Sequence, residues 1–89
     1  MKVSVELYGA TKDLSKNNFL ELEVKKNSSI KDIKIQILEF IEKNFQGNKN
    51  LKKLVQSSAF CSEEDEIISE NYKINNNQVI GIIPPIGGG

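Results

Sequence analysis

The stretch Ile80-Gly81-Ile82-Ile83-Pro84-Pro85-Ile86-Gly87-Gly88-Gly89 constrains this chain more than any other. Ile80 to Ile83 has the composition of a strand. Proline has no amide hydrogen and a locked φ, so Pro84 and Pro85 cannot prolong a central ladder. They stiffen the exit and aim the last four residues away from the body. Those residues are nearly bare backbone. Gly87, Gly88 and Gly89 add no packing and lose the most backbone entropy when ordered, so they do not serve the stability of their own domain. Fully extended, the four residues beyond Pro85 reach roughly 13 Å. A glycine terminus is narrow enough for a partner's channel, and its one reactive group is the terminal carboxylate. The plainer reading is a frayed end.

A chain of 89 residues makes one domain with a modest core. Lys+Arg and Asp+Glu are both 12, so no net field recruits nucleic acid or an anionic membrane. All the basic residues are lysine, which removes the bidentate arginine fork from the available chemistry. No histidine is present, and this excludes Ser-His, Cys-His and His-metal sites. The lone Cys61 can form neither an internal disulfide nor a zinc site, and it reads as a small packed side chain. No apolar run is long enough to span a membrane and the N-terminus lacks a signal-peptide core. The expectation is a soluble, cytoplasmic protein without metal, poorly equipped to act as an enzyme alone.

From Met1 to Gly9 the residues alternate, with Val3, Val5 and Leu7 on one face of a half-buried strand. A polar connection anchored by Leu14 leads through the turn formers Asn17-Asn18 to a second strand, with Leu20, Leu22 and Val24 inward. Ser29 followed by Asp32 is an acidic variant of the capping box. Ile30, Ile33, Ile37, Ile41 and Phe45 then recur at helical spacing, and Gly47 fits a left-handed helix end. Each of these five anchors stabilises by about 1.5–3 kcal/mol on full burial. Leu51, Leu54 and Val55 fit a helical turn or a strand entry equally. Ser57 to Cys61 and Glu66 to Ser69 read as short strands around an acidic turn, Glu63 to Glu66. That turn is ordinarily a solvated loop, though four carboxylates can attract a hard cation. Tyr72 and Ile74 are expected in a covering loop, Asn75 to Asn77 in a turn, and Val79 to Ile83 in the last strand. The sum is an α+β two-layer domain of residues 1–85 with a flexible tail, 86–89.

Both ends of the chain are familiar. Val3-Ser4-Val5-Glu6-Leu7-Tyr8-Gly9-Ala10-Thr11-Lys12-Asp13-Leu14 and Gln78 to Gly89, with Pro84-Pro85 just before the terminal glycines, resemble the small subunit of molybdopterin synthase. That family is a sulfur carrier with the ubiquitin-like β-grasp fold. The resemblance spans nearly the whole chain and is weakest from Gly47 to Asn75. It implies a mixed sheet of four to five strands on one main helix, with the first and last strands central and parallel. The chain departs from the family in three places: Gly87 extends the glycine pair to a triplet, Phe60 to Glu66 lacks a Val-Asn step, and the acidic run lengthens that hairpin.

The resemblance also implies a mechanism. A ubiquitin-activating-like adenylyltransferase would use ATP to adenylate the Gly89 carboxylate, and sulfur would then displace AMP to leave a thiocarboxylate. The large synthase subunit would accept the threaded Gly87 and Gly88 and pass sulfur to the pterin precursor. The chain itself would bind no cofactor. Docking would use an apolar patch at the tail root, for which Tyr8, Ile83, Pro84, Pro85 and Ile86 are the candidates; the plain alternative makes Tyr8 and Ile83 ordinary core or rim residues. Two rival functions use the same fold: a ubiquitin-like modifier or tRNA-thiolation carrier with the same tail, and an interaction module whose tail is idle.

Overall fold

The computed structural model describes residues 1–85, so the expectations for Ile86, Gly87, Gly88 and Gly89 lie outside the described residues. Strand β1 (Lys2–Leu7) leads into a 3-10 helix (Gly9–Leu14) and then β2 (Phe19–Glu23). A two-residue strand β3 (Ser28–Ser29) runs directly into helix α1 (Ile30–Asn44), and a second helix α2 (Lys49–Gln56) comes next. Strands β4 (Ala59–Cys61), β5 (Ile67–Ile68), β6 (Lys73–Ile74) and β7 (Gln78–Ile83) complete the order.

Five strands form one mixed sheet in the order β2-β1-β7-β4-β5. Strand β1 runs parallel to β7 and antiparallel to β2, and β4 runs antiparallel to both β7 and β5. The central parallel pair therefore joins the first strand of the chain to the last. Val3, Val5, Leu7, Ile80 and Ile82 project to one side and are almost wholly buried. Against them lie Ile30, Ile33, Ile37 and Ile41, one stripe of α1. Phe45, the fifth expected anchor, sits at the helix C-cap and is only partly buried, with its ring tilted against Phe40 at 6.0 Å.

The expected helix start is present in full. The Asp32 N–H donates to Ser29 Oγ at 3.2 Å, and the Ser29 N–H donates to the Asp32 carboxylate at 3.0 Å. At the other end Gly47 has φ +68°, and its N–H donates to the Ile41 carbonyl at 3.2 Å.

Three regions differ from the sequence reading. The Gly9–Leu14 connection is helical, held at its start by the hydroxyl of Thr11. The undecided Leu51-Leu54-Val55 segment is α2, capped by Asn48, whose side chain accepts from the Asn50 and Leu51 N–H groups. Ile74, expected in a loop, is fully buried on β6, which pairs with β3 in a separate two-stranded ribbon. The segment leading into β6 fastens the entry of α1: the Ile30 N–H donates to the Tyr72 carbonyl and the Lys31 N–H to the Glu70 carbonyl, both at 3.1 Å. Free helical N–H groups need such acceptors. Among the described residues no helix is long and apolar enough to cross a membrane.

Candidate functional site

The face of the sheet turned away from α1 arises from the same alternation that builds the core. Register places Phe19, Glu6, Gly81, Cys61 and Ile67 in one row across all five strands. Beside it, Ile83 pairs with Ala59, and Tyr8 comes directly after the last residue of β1. Three of the five large apolar side chains that are exposed among the described residues, Tyr8, Phe19 and Ile67, belong to this surface, with Ile67 the most open at 67%. Apolar side chains gathered on one uncovered sheet face are the usual mark of a contact surface.

Gly81 shapes the middle of that face. A Cβ at this position would lie 2.7 Å from Cys61 Sγ and 2.9 Å from Tyr8 Cε2, so the Tyr8 ring and the Cys61 sulfur occupy the space that a side chain would take. Around them Tyr8, Cys61, Asp65 and Ile83 line a shallow depression of about 290 Å³, mostly apolar. A larger hollow of about 550 Å³ lies between β2 and α1, lined by Leu22, Gln36, Phe40 and Lys43 among others. It adjoins Leu22, opposite Val3 at the start of β1, whereas Pro84 lies just past the far end of β7.

The root of the tail, Pro84, lies on the turn out of β1. Thr11 is fully buried, and its hydroxyl accepts from the Tyr8 N–H at 3.0 Å while donating to the Tyr8 carbonyl at 2.6 Å. This double contact holds Tyr8 at the turn out of β1. The next residue, Gly9, has φ +55°, a left-handed conformation that favours glycine, and a Cβ there would meet Pro84 Cγ at 3.1 Å. Pro84 thus rests on the Gly9 backbone next to Tyr8.

Burial pushes the Cys61 thiol up, the Asp65 and Glu6 carboxylates push the same way, and the Gly81 backbone opposes them. A thiol so disposed is a poor nucleophile. Interaction of the Tyr8 hydroxyl with Glu6, together with partial burial, raises its pKa and keeps it protonated. Among the described residues no three His, Cys, Asp or Glu side chains converge on a point where a metal ion would sit, and Glu63 of the acidic turn instead accepts from the Val79 N–H at 3.0 Å.

Of the residues singled out from sequence, the structure brings Tyr8, Ile83 and Pro84 together, with Pro85 exposed beyond them. Ile86, Gly87, Gly88 and Gly89 fall outside the described residues. Sequence reasoning passed over Phe19, Cys61, Ile67 and Thr11 as parts of this surface. The signal for Phe19 was present, since Leu20 and Leu22 facing inward turn it outward with Glu21 and Glu23. Nothing in the sequence signals the Thr11 contact.

No family model matches the chain, nor does any curated protein sequence. Solved structures do. A protein assigned as molybdopterin converting factor, subunit 1, from Pyrococcus furiosus superposes with a TM-score of 0.70 at 17% identity, covering 97% of this chain and 99% of that one. Small archaeal modifier protein 1 from Haloferax volcanii gives 0.67 at 10% identity, over 96% and 98%. A chain from the complex of subunits 1 and 2 of molybdopterin-converting factor of Helicobacter pylori 26695 gives 0.60 at 23% identity, with both chains covered in full. The shared architecture is the ubiquitin-like β-grasp that the two ends of the sequence implied.

Proposed function

We propose that this chain is a ubiquitin-like sulfur carrier whose C-terminal glycine, Gly89, bears the sulfur as a thiocarboxylate and serves as the small subunit of molybdopterin synthase. The observation that carries the reading is the tail root. Two prolines leave the central strand beside an uncovered apolar sheet face, and the sequence beyond them is one isoleucine and three glycines. Likeness to subunit 1 of a molybdopterin-converting factor that is complexed with subunit 2 supports a large-subunit partner.

The chemistry starts from a weakness of the terminal carboxylate, whose leaving group would be oxide. In a ubiquitin-activating-like adenylyltransferase, a Gly89 carboxylate oxygen attacks the α-phosphorus of ATP and pyrophosphate departs. The acyl adenylate has AMP as a good leaving group. A sulfide-level donor attacks the carbonyl carbon, AMP leaves, and the thiocarboxylate remains. Gly87 and Gly88 thread the narrow approach, and Tyr8, Ile83, Pro84, Pro85 and Ile86 seat the body against the partner. Residues 1–85 are the docking body, and 86–89 are the working tail.

The second reading is a protein modifier, favoured by the likeness to small archaeal modifier protein 1. It uses the same adenylate but ends in an isopeptide bond to lysine. Purification of the protein from its own cells, followed by intact-mass measurement and a denaturing gel, separates the two. A single species heavier by the exchange of one oxygen for one sulfur is the expected result. A ladder of high-mass conjugates with no thiocarboxylate would favour the modifier and overturn the proposal.

A further inference from the structure

We infer that the partner surface seated over the Tyr8–Ile83 depression carries a lysine or arginine beside its apolar anchor, and that Asp65 is the residue that reads this charge. The inference rests on the docking face of the proposed function and adds the chemistry of what sits on it.

The depression is apolar in its floor and walls, from Tyr8, Cys61 and Ile83, and among the described residues Asp65 is the one charged residue lining it. The turn that carries Asp65 is a built feature. Ser62 Oγ accepts from the Glu64 N–H at 3.2 Å and the Glu66 N–H at 3.3 Å, while the Ser62 N–H donates to the Glu66 carbonyl at 2.8 Å. The Asp65 N–H closes the turn on the Ser62 carbonyl at 3.0 Å, with Asp65 itself at φ +61°. Glu6 projects from the same face in register with Gly81, and both carboxylates act on the Cys61 thiol.

Neither carboxylate is neutralised at home. The ion pairs among the described residues join Met1 to Glu23, Lys34 to Glu70 and Lys52 to Glu42, and none of them involves Asp65 or Glu6. An apolar partner laid over this depression would strip water from Asp65 and leave its charge unpaired, which costs more than the contact returns. A partner that brings a cation next to its apolar side chain avoids that cost and gains orientation. Charge complementarity therefore selects an apolar-plus-basic surface over a wholly apolar one.

The test measures binding of the full-length chain to the large synthase subunit of the same organism by calorimetry, at low and at moderate salt. Asp65→Asn removes the charge and keeps a side chain that tolerates positive φ, so the turn survives. It is expected to weaken binding about three- to tenfold at low salt, with a smaller effect as salt rises. Asp65→Lys should weaken it further, and Tyr8→Ala should weaken it at both salt concentrations. If Tyr8→Ala weakens binding and Asp65→Asn does not, the docking face stands and the basic partner is wrong. If Asp65→Asn alone weakens it, the cation acts without an apolar anchor and the inference fails. If wild type does not bind, or neither substitution has an effect, the docking face falls together with the inference.

Discussion

The two faces of the five-stranded sheet are made by the same strands, yet one is covered by α1 and the other leaves apolar side chains exposed. On one side Val3, Val5, Leu7, Ile80 and Ile82 meet the isoleucine stripe of α1 and exclude water. On the other, the same strands present Glu6, Gly81 and Ile83, joined by Tyr8, Cys61 and Ile67. A period of two residues sends neighbours on one strand to different tasks. Ile82 and Ile83 differ by one position, and the first serves folding while the second is available to a partner.

The sharpest way to break this contrast is to place the same residue at both positions. Ile82→Asp buries an unpaired carboxylate in the core and is expected to cost more than about 4 kcal/mol, enough to abolish a cooperative denaturation transition. Ile83→Asp should leave a folded protein and act on partner affinity instead. Circular dichroism and urea titration of the pair decide the matter, and an unfolded Ile83→Asp would assign that residue to the core.

A smaller effect probes the centre of the outer face. Gly81→Ala forces its methyl group against Cys61 Sγ and the Tyr8 ring, and a loss of about 1–3 kcal/mol is expected by urea titration. Combining it with Cys61→Ala removes the closer clash and should recover part of that loss. No recovery would mean that the strain lies against the Tyr8 ring or in the β7 backbone.

At the entry of α1, Ser29→Ala removes one half of the capping box and should cost about 1 kcal/mol in thermal or urea denaturation. The smallest effect is its pH dependence. Contacts from the Ser29 N–H, then from its hydroxyl, hold the Asp32 carboxyl below the ordinary aspartate range. A lowered folded-state pKa contributes stability that is present above the unfolded value and is lost as pH falls through the folded one. The acid limb of the stability curve should therefore flatten slightly in Ser29→Ala, and an unchanged limb would show that the hydroxyl contact adds nothing to acid sensitivity.

What was legible in the sequence was whatever repeats. The α1 stripe, the alternation of β1 and the caps at Ser29 and Gly47 each come from spacing or from one residue's conformational preference. Leu51, Leu54 and Val55 were not decisive, because eight residues of helix hold too few turns to separate its period from that of a strand. The β3–β6 ribbon has two residues on each side, too short to show any period, and it lies beside the Glu70 and Tyr72 carbonyls that accept from the start of α1. In the candidate site, Ile83 was legible as an apolar residue next to the prolines, and Tyr8 only through the pairing of first and last strands that the resemblance implied. Thr11 and the Gly81 socket were not, since both depend on contacts between segments of chain that only the closed fold brings together.

The central claim is that the body presents the terminal carbonyl carbon of Gly89 for activation by another protein. Its most direct test is incubation of the full chain with the organism's adenylyltransferase, ATP and a sulfide donor, with mass spectrometry of the C-terminal peptide as the readout. The expected result is an ATP-dependent gain equal to one oxygen exchanged for one sulfur on that peptide, absent when Gly88 and Gly89 are deleted. An unaltered terminus, with an enzyme that charges another carrier under the same conditions, would contradict it.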